Sequence, residues 1–115
     1  MSTDFELELV EHPAQLIIAL SGDLTSEAGQ KIRHAYTCVR ERGCRAVVFD
    51  FSKVNYINSE GVAIFFSLVR DMGDGLQEMV FASLTQNMQN IIKVVGLIDY
   101  VHLADTVDSW FSAHK

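Results

Sequence analysis

Three features of the sequence predict an α/β domain with a mixed, mostly parallel β-sheet, opened by an N-terminal antiparallel hairpin and carrying four helices in the order ββαβαβαβα. Apolar runs of strand length alternate with segments in which apolar residues recur every three or four positions, as strands joined by crossover helices require. The first two runs are separated only by His12-Pro13-Ala14, which is turn-like rather than helical. The run from Arg45 to Phe51 is almost continuously apolar, as expected of a central strand covered on both faces. With 115 residues, 49% of them hydrophobic, the chain can fill one core and has no room for a second, so residues 1–115 are expected to form a single domain.

In chain order, Phe5, Leu7 and Leu9 are interleaved with glutamates, the period-two pattern of a half-buried first strand. Pro13 marks the turn, and Gln15 to Leu20 forms the second strand, closed by Ser21-Gly22-Asp23. From Ser26 to about Arg42 the period changes. Ala28, Ile32, Ala35 and Val39 share a face opposite Glu27, Lys31, Arg33, Arg40 and Glu41, with a hydroxyl at the start and Gly43 at the end. After the third strand, a helical pattern starts at Asn58-Ser59-Glu60-Gly61 and reaches Met72. Met79 to Leu84 reads as a buried strand entered through Gly73-Asp74-Gly75. Beyond Thr85, the positions Met88, Ile91, Ile92 and Val95 define a helix stopped by Gly96. A short last strand centres on Val101-His102-Leu103, and Asp105 or Thr106 caps a final helix that turns Val107, Trp110 and Phe111 to the core.

Composition removes several function classes. A formal charge of -6, with 9 Lys and Arg against 15 Asp and Glu, argues against a nucleic-acid surface, because phosphate backbones are held by clustered cations. Proteins are the expected partners. Cys38 and Cys44 have no His or Cys at structural zinc spacing and read as reduced thiols, with no metal site. The acidic start has neither a basic segment nor an apolar one behind it, and the longest apolar stretch, Gly61 to Val69, is half of a membrane span. A cytoplasmic protein is expected.

The chemistry concentrates between Ala46 and Met72. Stepping 100° per residue from Ser59 puts Gly61, Ile64, Phe65, Leu68 and Met72 on a core face, with Val69 beside it. A second line, Ser59, Val62, Ala63, Phe66 and Arg70, holds apolar candidates for an exposed docking surface. Serine is a favoured N-cap, and a phosphate at the same position is favoured by the free N–H groups and the dipole of the helix, so Ser59 suits either role. Asp50 could be a phosphate-accepting or magnesium-binding carboxylate, with Asp23 as its one companion at another strand end. A structural role in holding loop amides, together with Ser52, is the preferred reading. A serine hydrolase lacks its G-x-S-x-G elbow, and His12, His34, His102 and His114 are scattered.

The stretch Val47-Val48-Phe49-Asp50-Phe51-Ser52-Lys53-Val54-Asn55-Tyr56-Ile57-Asn58-Ser59-Glu60-Gly61 resembles the signature of STAS domains, in particular bacterial anti-sigma-factor antagonists. Leu20-Ser21-Gly22-Asp23-Leu24 and Val95-Gly96-Leu97 resemble flanking motifs of the same family. The resemblance implies that Ser59 is the phosphoacceptor. It also implies that Asp23, Thr25, Asn58, Glu60, Gly61, Val62, Ala63, Phe66 and Arg70 form a loop and partner-binding surface. Its partners would be a GHKL-type serine kinase that is also the anti-sigma factor, supplying ATP and magnesium, and a PP2C-type phosphatase that resets the switch. The chain itself would carry no catalytic group and no cofactor.

Two positions depart from the family pattern. Asn58 replaces an aspartate before the acceptor, keeping a capping oxygen without its charge, and Thr25 stands where an aspartate is common. Two rival functions remain: a STAS subunit docked constitutively on an ABC-type lipid transporter or a sensory scaffold, and an enzyme using Asp50 or Ser59.

Overall fold

A single sheet runs in strictly sequential order through β1 (Glu6–His12), β2 (Gln15–Leu24), β3 (Ala46–Ile57), β4 (Glu78–Ala82) and β5 (His102–Ala104). The computed structural model describes residues 4–12, 15–44, 46–72 and 78–113. The turns expected at Pro13 and at Gly73-Asp74-Gly75 lie outside the described residues. β1 and β2 are antiparallel with His12 opposite Gln15, and every later pair is parallel. Four helices, α1 (Gly29–Glu41), α2 (Ser59–Met72), α3 (Gln86–Val94) and α4 (Val107–Ala113), complete the expected order.

Side-chain alternation along the strands divides the core in two. On one face Leu16, Ile18 and Leu20 of β2, Val47, Phe49 and Phe51 of β3, and Met79 and Phe81 of β4 meet Ile32, Phe65 and Met88 of α1, α2 and α3. On the other, Ile17, Val48 and Val80 meet Trp110 of α4, with Val107 and Phe111 packed alongside. β3, between β2 and β4, is thus covered on both sides, as its continuous apolar run requires. Four phenylalanines seat α2: the Phe65 ring centroid lies 5.1, 5.7 and 4.8 Å from those of Phe49, Phe51 and Phe81.

Several boundaries differ from the sequence reading. β3 continues to Ile57 and β2 to Leu24, where a loop and a turn were expected. The two extensions pair with each other, Ser21 with Lys53, Gly22 with Val54, Asp23 with Tyr56 and Leu24 with Ile57. Register shifts at Ala19/Ser21 and Gly22/Asp23 break the period-two pattern there. The first helix opens as a 3-10 turn, Ser26–Ala28, behind Thr25, whose side chain makes no capping bond. β4 stops at Ala82, because Ser83 takes a left-handed conformation at φ 65°. A 3-10 turn, Leu97–Asp99, precedes β5, pushing that strand one residue later than expected. Leu9 is exposed, since β1 is an edge strand reached by few helical side chains.

The helix ends follow their chemistry. Thr85 Oγ1 accepts the Met88 N–H at 3.1 Å, and Gly96, at φ 85°, ends α3 in the left-handed region that glycine tolerates. Thr106 and Ser109 cap α4 reciprocally: Thr106 Oγ1 accepts the Ser109 N–H at 2.9 Å and Ser109 Oγ the Thr106 N–H at 3.0 Å.

Candidate functional site

The last residues of β2 and β3 and the first turn of α2 form one unit, built around the Leu24 carbonyl. That oxygen accepts the Asn58 N–H at 3.3 Å. Gly61 comes so close to it that a Cβ on this residue would lie 2.2 Å from Leu24 O. No real Cβ tolerates such a distance, so a glycine is needed here for α2 to sit against the end of β2.

Asn58, not Ser59, caps the helix. Its Oδ1 accepts the Gly61 N–H at 2.9 Å, while its backbone carbonyl accepts the Val62 N–H at 3.0 Å. Ser59 is the first residue of α2 and is exposed, and its hydroxyl makes no hydrogen bond among the described residues. The amides of Ser59 and Glu60 also have no acceptor among the described residues, which leaves two helix-start donors facing outward. The arrangement presents the exposed hydroxyl beside N–H groups at the positive end of a 14-residue helix.

The remaining site residues divide into two groups. Asp23, half-buried and opposite Tyr56 in the β2–β3 register, and Thr25 flank Leu24, so both stand beside Asn58, Glu60 and Gly61. Ala63 and Arg70 are exposed on α2, and Phe66 is half-buried with its ring 6.5 Å from that of Tyr100. Val62 departs from the expected exposed line. It is 3% exposed and belongs to the core, because the α2 stripe that meets the sheet is wider than a single row of positions.

Asp50 and Ser52 lie elsewhere. Asp50 Oδ1 accepts the Ser52 N–H at 2.9 Å, but within β3 rather than in a loop. Asp50 pairs with Ala19 and Ile57 with Leu24, five residues further along β2, which puts about 17 Å between Asp50 and the end of β3, where α2 starts. Asp50 and Ser52 instead line a groove of about 350 Å³ with Glu6, Glu8, Ser21 and Lys53. Asp23 lies four residues beyond Ala19, the β2 partner of Asp50, about 13 Å along the strand, and among the described residues no three His, Cys, Asp or Glu side chains gather as a metal site would need. No single catalytic constellation can therefore use Asp50 and Ser59 together.

Two contributors to the site were not foreseen. Tyr56 is 53% exposed at the end of β3, and only its polar-aromatic setting between Asn55 and Ile57 could have signalled it. The Leu24 carbonyl is backbone, and no side chain announces it.

Comparison with known proteins places this geometry. The chain is 21% identical over 100 residues to the protein BtrV of Bordetella bronchiseptica, covering 87% of this chain and 86% of that one. Its fold matches the crystal structure of an anti-sigma factor antagonist from Mycobacterium paratuberculosis with a TM-score of 0.81 at 19% identity, covering 96% and 93% of the two chains. It matches the Bacillus cell fate determinant SpoIIAA in its phosphorylated form with a TM-score of 0.68 at 18% identity, covering 97% and 100%. The STAS domain model matches residues 6–110, nearly the whole sequence, and the chain belongs to the STAS domain family.

Proposed function

We propose that the chain is an anti-sigma-factor antagonist in a bacterial partner-switching pathway. The unphosphorylated protein binds a GHKL-type serine kinase that is also the anti-sigma factor, phosphorylation of Ser59 releases it, and a PP2C-type phosphatase restores it. The observation that carries this reading is the exposed Ser59 hydroxyl at the first position of α2, without a hydrogen bond among the described residues, with capping already performed by Asn58. A serine needed as a cap would have its oxygen engaged. The antagonist name of the mycobacterial relative, and the phosphorylated form in which the Bacillus relative is described, support the same assignment.

In this mechanism the chain is substrate and switch. Ser59 Oγ attacks the γ-phosphorus of ATP held with magnesium by the kinase, the bond to ADP breaks, and the hydroxyl proton passes to a base of the kinase. The phosphate adds nearly two negative charges. They arrive beside the surface formed by Asp23, Thr25, Glu60, Ala63, Phe66 and Arg70, where a complementary partner surface would have to desolvate them. Val62 and Gly61 support this surface from beneath, since both are buried. Among the described residues no helix is long and apolar enough to cross a membrane, and the proposed site of action is the cytoplasm, where an ATP-dependent kinase operates on residues 1–115 as one domain.

Replacing Ser59 by Asp tests the docking half of the proposal. Calorimetric titration with the kinase should show at least tenfold weaker binding for Ser59→Asp, while its thermal midpoint stays close to that of the unaltered chain. Equal affinity of the two forms would favour a constitutive subunit of a transporter or scaffold.

A further inference from the structure

We propose that Asn58 tunes the switch: by capping α2 with an uncharged amide, it leaves the positive helix start to the Ser59 phosphate, so that the phosphorylated chain is the more stable of the two forms. This rests on Ser59 being the modified residue. The first turn of α2 has four backbone donors to satisfy. Asn58 N–H is taken by Leu24 O and Gly61 N–H by Asn58 Oδ1, while those of Ser59 and Glu60 have no acceptor among the described residues.

A phosphate on Ser59 is attached where these two donors and the helix dipole act together. The carboxylates on the elements that meet here are Glu60 in the same turn, Asp23 at the end of β2 and Glu27 in the 3-10 turn after Thr25. The one position that contacts the helix donors directly is the cap, and it carries no charge. An aspartate at 58 would keep the 2.9 Å capping bond, since a carboxylate oxygen accepts as an amide oxygen does, and would add a negative charge next to the phosphate. Asn58 is thus a positioning and charge-setting residue, distinct from the acceptor.

The test is a double-mutant cycle with Asn or Asp at 58 and serine or phosphoserine at 59 in the full chain, the phosphoserine being inserted during translation so that no kinase is needed. With Asn58, phosphoserine should raise Tm by about 3 °C. With Asn58→Asp the gain should shrink or reverse, and the ³¹P titration midpoint of the phosphate should move upward, because a second negative charge disfavours the dianion. A cap role alone leaves both readouts unmoved, since either residue caps. An additive cycle with an unchanged ³¹P midpoint would overturn the proposal. The same four proteins read it whether or not a kinase modifies Ser59, so the two readings fail separately.

Discussion

Asp50 and Ser59 sit nine positions apart in one stretch of sequence, and both look like chemically active groups. The fold gives them opposite fates. Asp50 falls inside β3, on the strand rather than at its end, with Oδ1 committed to the Ser52 amide. Ser59 falls just beyond the strand, at the head of α2, with a neighbour performing the cap and its own hydroxyl without a partner among the described residues. What separates them is the length of β3. Each extra residue of strand carries the start of α2 about 3.3 Å further from Asp50 and toward the rim where β2 also ends. Which of the two side chains is exposed therefore follows from where the strand stops, more than from residue type.

The comparison can be broken by unseating α2. Phe65 is fully buried among Phe49, Phe51 and Phe81, so Phe65→Ala should cost about 3–5 kcal/mol by denaturant titration, which would leave a domain of this size partly unfolded. A loss below 1 kcal/mol would mean that the helix is held by something other than this cluster. Gly61→Ala attacks the seat at the other end. Its Cβ meets backbone rather than a movable side chain, and a loss of about 1–3 kcal/mol is expected together with weaker kinase binding.

Smaller changes sharpen the contrast. Asn58→Ala removes the acceptor of the Gly61 amide and should cost about 1 kcal/mol, whereas Ser59→Ala should change stability by less than about half of that. Reversed magnitudes would make Ser59 the cap. Asp50→Asn keeps an oxygen for the Ser52 amide and should shift stability by no more than about 0.5 kcal/mol, with the rate of Ser59 phosphorylation unchanged. A slowed reaction would tie the two positions together after all.

Much of this was readable from residue order. The continuous run at Val47, Val48 and Phe49 announced the doubly covered strand, and the spacing of Ile32, Ala35 and Val39 identified the face of α1 that is buried. The stop at Gly96 and the cap at Thr85 are local chemistry, and local chemistry is what sequence carries best. The extension of β3 was hidden because its partner is the end of β2, some thirty residues earlier, and because register shifts spoil the alternation that marks a strand. Val62 was misplaced for a related reason: a wheel gives angles around a helix and cannot say how wide a stripe the sheet will cover. Ser59 could be picked out from its motif, but its division of labour with Asn58 is set by the fold, because serine and asparagine are equally good caps.

The proposed switch turns on one residue, Ser59. It is tested most directly by incubating the chain and its Ser59→Ala variant with the cognate serine kinase, ATP and magnesium, then mapping phosphate by mass spectrometry. The expected result is close to one phosphate per chain, all of it on Ser59 and none on the variant. Phosphate on another residue, or none from a kinase that modifies a second substrate in the same reaction, would contradict it.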